Sequence, residues 1–352
     1  MAMEFYVLDK TFKILGVIDT YKSAIWTERY YESGDFELYI PMNDDILSIL
    51  KKHNYVVRMD DTTKCAVIES LKISQSADGG DYITASGRNV SSLLSRRIVW
   101  KQTTYSGKVE VVCRNIIRDA FVAPELTSRL VDEFQLGTLK GFSETVKIQF
   151  TGDNVEEAIQ NLCKTYKIGY KVWLDYSTKH FIFDLYKGVD RSYEQEENPY
   201  VVFSAEFENL LSSEYTSDDM SYKNVAQVAG EGQGTARKKV VVGSYSGLNR
   251  FETFVNASSV STNDGEVNES SYNNLLRQQG LESLAELTTV ESMDSEVAPN
   301  YSYKLGVDYN LGDIVEVSNQ YGIAISTRVA EIIESNDDTG YSCIPTFAVD
   351  EN

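Results

Sequence analysis

The sequence contains few of the residues on which common enzymatic chemistry depends. It has only two histidines, His53 and His180, among 352 residues. Neither lies in a pattern that would pair an imidazole with a serine or cysteine nucleophile, and no His-Glu-x-x-His motif is present. We therefore predict no catalytic histidine and no zinc hydrolase site.

Cysteine is also scarce. The four cysteines show neither Cys-x-x-Cys spacing nor the density of a disulfide framework. We expect them to be small buried side chains in a reducing compartment. They are Cys65, Cys113, Cys163 and Cys343.

Positive charge is under-represented, with 33 Lys and Arg against 53 Asp and Glu and a formal net charge of -20. Binding to the phosphate backbone of nucleic acids needs clustered basic residues, so specific nucleic-acid binding is not expected. The same deficit disfavours an anionic membrane surface.

Long apolar runs are absent as well. No stretch approaches the roughly 20 apolar residues that span a bilayer. The first ten residues lack the basic segment and apolar run of a signal peptide. We expect no membrane insertion by this chain, which we predict is made in the bacterial cytoplasm.

One glycine-rich segment, residues 230–234, superficially resembles a phosphate-binding loop. That function needs a helix directly after the glycines, whereas Val240, Val241 and Val242 follow and predict a strand. A glycine-rich β-hairpin or a flexible loop is the favoured interpretation.

Acidic residues and tyrosines are abundant, and each group has two interpretations. A glycosidase carboxylate pair cannot be dismissed by counting, but the acidic clusters, such as Asp60 with Asp61 and 336–338, fall in turns and lack a calcium-binding loop pattern. The 23 tyrosines are compatible with sugar-binding platforms, but barrel cores and subunit interfaces explain them more simply. We predict no catalytic residue, no cofactor site and no metal site.

Residues 1–100 consist of short strand-like runs separated by turn residues, which predicts a first small β-barrel domain. Asn43 is expected to cap a short helix over 43–50, with Ile46, Leu47 and Leu50 on one face. The expected strands are Phe5–Leu8, Phe12–Ile18, Tyr21–Trp26, Phe36–Ile40, Tyr55–Met59, Cys65–Ser74 and Asp81–Ser86.

Residues 101–199 change to a helical period and predict an α+β domain, ending in an acidic connector at 191–199. Apolar residues recur at helical spacing over Val109–Phe121. A second helix is expected from Asp153, with Glu156 completing a capping box. Between and after the helices we expect a strand, Val146–Thr151, and a hairpin, Tyr170–Leu174 with Phe181–Tyr186.

Residues 200–352 predict a second small β-barrel domain that carries a helical insertion at about 256–299. The helix is expected over Tyr272–Leu287 with an interruption near Gly280. The expected strands are Tyr200–Phe203, Ser212–Ser217, Asn224–Ala229, Arg237–Val242, Tyr301–Val307, Ile314–Ser318, Ile323–Ser335 and Tyr341–Val349. The predicted fold class is α+β and β-rich.

The segment Thr84–Trp100 joins the first two predicted domains. It predicts a strand end, a break at Gly87, one helical turn opened by Asn89 and a return to extended chain. Gly87 would be hard to replace if its φ is positive. The arginines of the segment are either anchors to acidic neighbours or ordinary surface charges; these are Arg88, Arg96 and Arg97.

Six segments of the sequence carry recognisable motifs: 31–41, 85–90, 93–98, 222–226, 311–315 and the ending from Arg328 to Phe347. Together they resemble the motifs of siphophage and prophage tail-associated (tail-tip) proteins, whose core is a baseplate hub. The hub fold is shared with contractile tails and phage-tail-like bacteriocins (tailocins). The resemblance covers nearly the whole chain, and its motifs are structural rather than catalytic.

The resemblance implies a homotrimeric ring in which each subunit contributes two small barrels. The trimer would then present six similar barrels, with pseudo-sixfold symmetry, to the hexameric tail tube. The implied partners are the tail tube or distal tail protein ring, a spike or tip protein and the C-terminus of the tape-measure protein. We expect the acidic balance to give a lumen that repels DNA in transit.

Two alternatives stay open. One is a cell-wall-acting (peptidoglycan-degrading) or glycan-binding tail protein, although the chain stops at Asn352 without the lysin domain of many relatives. The other is an adaptor that acts as a hexamer or a monomer. In each case the protein would end as part of the virion tail or of a released particle.

Overall fold

A computed structural model describes residues 3–76, 80–263, 265, 267–297 and 303–349. Strands predominate, and the helices fall mainly in the middle of the chain and in one later segment. The fold is α+β and β-rich, as predicted.

The described part of the first hundred residues contains eight strands, one short α-helix and the 3₁₀ helix Val90–Arg96. Asn43 caps helix α1, Asp44–Ile49, by accepting a hydrogen bond from the Ile46 amide, as predicted. Leu50 is buried, but Leu47 is 41% exposed, so that part of the predicted apolar face is wrong. The strands are β1 (Phe5–Leu8), β2 (Ile14–Ile18), β3 (Ser23–Arg29), β4 (Asp35–Pro41), β5 (Tyr55–Arg58), β6 (Cys65–Val67), β7 (Ser70–Ser76) and β8 (Gly80–Arg88).

Two sheets of this region enclose one core. Strands β2-β1-β5-β6 form one sheet, and β3-β4-β8-β7 form part of a second, larger sheet. The apolar alternate residues of β3 and β4, including Trp26, Phe36 and Leu38, point into the space between them. The single predicted strand over Cys65–Ser74 is two strands, one in each sheet.

The middle region is built on two amphipathic helices. The first predicted helix is α2, Val109–Ile117, which continues as a π-helical turn, Arg118–Val122. Helix α3 is Val155–Tyr166. The strands are β9 (Thr103–Lys108), β10 (Phe134–Leu136), β11 (Thr145–Phe150), β12 (Gly169–Asp175) and β13 (His180–Tyr186), and 3₁₀ helices span Val90–Arg96 and Thr127–Arg129.

The predicted cap of α3 is wrong by one residue. The Asn154 side chain, not that of Asp153, accepts the amides of Glu156 and Glu157. Asp153 instead accepts the Thr151 amide. Glu156 does not close a capping box, because its carboxylate accepts a hydrogen bond from the Ser33 hydroxyl of the first region.

The last region contains one helix and nine strands in its described part. Helix α4, Glu269–Glu286, is capped by Asn268, begins before the predicted start and runs through Gly280 without interruption. The strands are β14 (Val202–Ser204), β15 (Leu210–Asp218), β16 (Val225–Ala229), β17 (Lys239–Val242), β18 (Glu252–Asn256), β19 (Val290–Val297), β20 (Ile314–Ser318), β21 (Ala324–Asp337) and β22 (Gly340–Ala348), and 3₁₀ helices span Gly234–Ala236 and Gly247–Asn249.

Two further corrections concern this region. Of the predicted strand 301–307, residues 301 and 302 lie outside the described residues, and 303–307 form a loop and turn with an isolated bridge from Leu305 to Tyr309. Helix α4 packs on the three-stranded sheet β17-β16-β18, where Gly280 lies against Val228 and Val242. A Cβ at Gly280 would come within 2.6 Å of the Val242 side chain, which explains a glycine inside a helix.

The largest sheet joins the two ends of the chain. Its main path runs β15-β19-β22-β21-β3-β4-β8-β7, with β20 and β14 attached beside β21. Strand β21 pairs antiparallel with β3 from Glu331 opposite Arg29 to Asp337 opposite Ser23. The sheet therefore crosses from the last predicted domain to the first, which no local sequence pattern indicates.

Candidate interaction surface

The cysteines and histidines form no catalytic arrangement in the described residues. Cys65, Cys113 and Cys163 are buried free thiols, and burial raises the pKa of Cys65 and Cys163. His53 is exposed in a turn with φ of 72°. His180 begins β13, and its buried Nδ1 has no hydrogen-bond partner among the described residues. No group of His, Cys, Asp and Glu side chains suited to a metal is present among the residues described.

The glycine-rich segment 230–234 is a β-hairpin connection, as favoured. It links the antiparallel strands β16 and β17. The Glu231 amide donates to the Tyr272 hydroxyl at 2.6 Å, and a Cβ at Gly230 would lie 2.1 Å from the same oxygen. The loop amide therefore binds helix α4, and the chain continues into a strand rather than into a phosphate-binding helix.

Tyr30 is the packing centre at which the three regions meet. Its ring is fully buried, and its hydroxyl lies 3.3–3.4 Å from the carbonyls of Lys167 and Tyr186. The Arg328 guanidinium lies 4.9 Å from the centre of the ring. At Gly312 of the last region, a Cβ would come within 2.2 Å of the ring. The tyrosine thus fixes all three regions to one another.

A buried ionic cluster forms a second junction, beside a cleft of about 640 Å³. Arg58 of β5 contacts Glu334 of β21 at 2.5 Å, and their side chains are 4% and 6% exposed. Lys64 approaches the same carboxylate at 3.1 Å. Burial alone would raise the pKa of Glu334, but Lys64 and Arg58 together lower it. This cluster links the first and last regions.

The segment Thr84–Trp100 acts as a connector between regions. The predicted turn is the 3₁₀ helix Val90–Arg96, but the Asn89 side chain donates to the Thr27 carbonyl instead of capping it. Arg88 binds Glu69 through two 2.9 Å hydrogen bonds, so it is an anchor to an acidic neighbour. Arg97 lies over the Phe121 ring, and the Arg96 side chain is exposed without an ion pair in the described chain.

Gly87 is required for a different reason from the one predicted. It is not among the glycines with positive φ. A Cβ added to it would lie 1.9 Å from the Val67 carbonyl oxygen, because two chain segments approach closely there. Gly34 meets the Thr27 carbonyl in the same way.

One face of the large sheet lies away from its hydrophobic cores. On the opposite face, alternate residues pack into two separate cores, one under β3-β4-β8 and one under β21 and β22. The open face carries many small polar and acidic side chains, together with half-buried isoleucines and the stacked pair Tyr39 and Tyr82. The polar and acidic set includes Ser23, Glu37, Thr84, Ser86, Ser335, Asp337 and Ser342, and the isoleucines are Ile25, Ile333 and Ile344. We call this surface the open face.

The open face is negatively charged. Glu37, Glu214 and Asp337 lie on it without an ion pair to any described residue, and Lys72 is the one lysine on it. Arg29, also on this face, is paired with Asp35 and Glu331. The uncompensated charge is therefore acidic.

The two halves of the sheet repeat one topology. In the first half, hairpin β3-β4 is followed by an excursion and a hairpin β7-β8, in the order β3-β4-β8-β7. In the second half, β15, β19, β21 and β22 have the corresponding order in the sheet, β15-β19-β22-β21. Along the chain, β16–β18 and α4 are inserted between β15 and β19, and β20 between β19 and β21. We call each set of four strands a sheet unit. One chain therefore carries two sheet units side by side.

A family model matches nearly the whole chain. The family model described as Siphovirus ReqiPepy6 Gp37-like protein matches residues 4–347. No curated protein matches the chain.

Solved structures with this fold come from tails and a related complex. The tail protein from Neisseria meningitidis MC58 has a TM-score of 0.61 at 13% identity, over 99% of this chain and 97% of that one. Prophage tail protein gp18 from Listeria monocytogenes EGD-e has a TM-score of 0.57 at 11% identity, covering 99% and 95%. The Francisella PdpA-VgrG complex has a TM-score of 0.51 at 9% identity, covering 98% of this chain and 52% of that one.

Proposed function

Because the chain belongs to the Siphovirus ReqiPepy6 Gp37-like family of tail proteins, we propose that it is a structural hub of the baseplate or tail tip. In this proposal three copies form a ring that adapts the hexameric tail tube to a central spike or tip. The ring assembles in the bacterial cytoplasm and becomes part of the tail.

The pair of sheet units is the observation that carries this proposal. A sixfold tube end presents six equal contact positions, which three chains can fill only if each offers two similar units. The two sheet units have the same strand order and lie side by side in one sheet. Each has a separate core beneath it, as two small barrels would require.

Domain limits follow from the same arrangement. We propose a first barrel at 1–100, an α+β domain at 101–199 and a second barrel at 200–352 that carries an insertion. The α+β domain has its own core around α2 and α3. Helix α4 lies inside the predicted insertion of about 256–299, and its packing on β16–β18 suggests an insertion that begins earlier.

The partners would bind on the two sides of the ring. The tail tube or distal tail protein would meet one side, and the spike or tip protein the other, with the tape-measure C-terminus near the lumen. The named PdpA-VgrG complex with this fold supports a spike-type partner.

The open face would line the lumen. Its uncompensated acidic residues would repel the DNA phosphates and so prevent adhesion during transit. Replacing Glu37, Glu214 and Asp337 together by lysine should create DNA binding in a gel-shift assay, whereas the parent protein should not bind. DNA binding by the parent protein would contradict this role.

Among the helices of the described residues, none has the length and apolar composition of a membrane span.

We propose no enzymatic activity. The alternative of a peptidoglycan-degrading or glycan-binding tail protein makes a different prediction. In zymography on peptidoglycan, the purified chain should leave no cleared zone, and clearing would favour the alternative.

The oligomeric state tests the hub directly. Native mass measurement of the purified chain and of its copy number in intact particles should give three. Six copies or a monomer would favour the adaptor alternative instead.

A further inference from the structure

Strands β7 and β15 end the large sheet on opposite sides. Among the described strands, β7 pairs only with β8, and β15 pairs only with β19. Each of these edge strands therefore presents a row of backbone groups that can pair with another strand.

We propose that β7 of one copy pairs with β15 of the next, so that the sheet continues around the ring. This proposal rests on the proposed function, because it specifies how the copies of the hub meet. The partner is a second copy of this chain, and the contact is heterologous, as a closed ring requires.

The chain already contains a template for this contact. In the topology shared by the two sheet units, β21 is the counterpart of β7, and β3 is the counterpart of β15. The two sheet units of one chain are joined by antiparallel pairing of β21 with β3. Repeating the same junction between copies places β7 against β15.

The template also predicts the register. The register follows when equivalent residues of the two sheet units are matched. Residues 331–337 of β21 correspond to 70–76 of β7, and residues 23–29 of β3 correspond to 212–218 of β15. This match keeps each open-face position on the open face. The internal pairs Glu331–Arg29 and Asp337–Ser23 then give Ser70 opposite Asp218 and residue 76 opposite Ser212. Ser74 lies opposite Glu214, and Lys72 lies opposite Thr216.

The side chains at these positions are complementary. Ile73 belongs to the core side of β7 but is 49% exposed, because no strand lies beyond it. In the proposed register it faces Tyr215, an aromatic residue at the position of the buried Trp26 in the internal junction. On the open face, Lys72 lies diagonal to both Glu214 and Asp218, within reach of its long side chain.

Cysteine cross-linking tests the pairing. Opposed residues of antiparallel strands have Cα atoms about 4.5–5.5 Å apart, within the range that a disulfide spans. Mild oxidation of S74C/E214C should give a ladder of covalent species up to three subunits on a non-reducing gel. The matched control S74C/S217C, with the second cysteine on the other face and three residues away, should give none, and neither should the single variants.

A substitution gives an independent readout. I73D changes a residue exposed in the single chain, so the folded monomer should keep its melting temperature while the trimer dissociates at least tenfold more readily. L139D, at a loop residue that is 60% exposed, should leave the trimer intact.

The outcomes separate the two proposals. If wild-type chains are trimers but S74C/E214C gives no ladder and I73D leaves the trimer unchanged, the pairing of β7 with β15 is wrong and the hub stands. If wild-type chains are not trimers, the proposed function fails as well.

Discussion

At the residue scale, close backbone approach determines where glycine is needed. The Gly87→Ala variant should lower the free energy of unfolding by about 3 kcal/mol, because its Cβ would lie 1.9 Å from the Val67 carbonyl oxygen and the strands must separate. Urea denaturation measures this loss.

Gly16→Ala is the matched control. Gly16 also lacks a positive φ, but its Cβ would meet the movable end of the Ile49 side chain at 2.9 Å. We expect a change within about 0.5 kcal/mol. Equal losses in the two variants would show that general chain stiffness, rather than the contact with Val67, governs the effect.

Glu282 predicts a pH-dependent stability. It lies on α4, where burial raises its pKa to about 8. The hydrogen bond that Gln278 donates to it lowers the pKa, whereas the nearby carboxylates of Glu286 and Asp153 raise it further. The folded state thus holds the proton more tightly than the unfolded state. The protonated Glu282 side chain therefore contributes to the free energy of unfolding. This contribution is fully present below about pH 4.5 and is lost as the pH rises through about 8.

The E282Q variant keeps the side-chain shape without a titrating group. Its free energy of unfolding relative to wild type should rise by on the order of 3 kcal/mol between pH 5 and pH 9. A difference between the two proteins that is constant over this range would contradict a buried protonated Glu282.

At the element scale, the junction of β5 with β21 depends on a buried ion pair. Arg58 also binds Asp60, and Glu334 also binds Lys64. Removing either partner of Arg58–Glu334 therefore leaves a buried charge with only its second counterion, and R58M and E334M should each cost on the order of 3 kcal/mol in free energy of unfolding. The double variant R58M/E334M should cost clearly less than the sum, as measured in a double-mutant cycle.

The exposed pair Lys238–Glu269 provides the control, since its side chains are 56% and 74% exposed. K238M should change stability by no more than about 1 kcal/mol. Additive losses in the Arg58–Glu334 cycle would mean that the buried pair does not couple the two strands.

The spacing of apolar residues and the turn residues between them predict some of the helices and strands. Helix α2 and the β12-β13 hairpin follow from apolar spacing and turn residues, and both are confirmed. The sequence does not predict strands β9, β10, β18 and β19, because their polar and apolar residues alternate weakly and their stability comes from pairing with distant strands. The cap of α3 was misplaced, because Asp153 and Asn154 are both good capping residues and only tertiary contacts distinguish them.

The tertiary junctions were not predictable from the chain alone. Tyr30 lies in a run of ordinary polar and aromatic residues, yet it is fully buried where three regions meet. Glu156 has the spacing of a capping box, but it serves a contact with Ser33, 123 positions earlier in the chain. Such long-range contacts depend on the assembled fold rather than on a local signal.

At the scale of the whole molecule, one chain behaves as two joined sheet units. The sheet crosses from the last strands to the first through β21 and β3, and the charged residues without an ion pair on its open face are mainly acidic. The motif resemblance implies six similar units per trimer. The two sheet units of one chain, which have the same strand order, agree with that number.

Cryo-electron microscopy of the purified assembly or of intact tails tests this central claim most directly. We predict a ring of three subunits around a central opening, with six similar strand-rich densities, the large sheet facing the lumen and the α+β domains repeating three times. A ring with another subunit number, or a lumen formed by the α+β domains, would contradict the account.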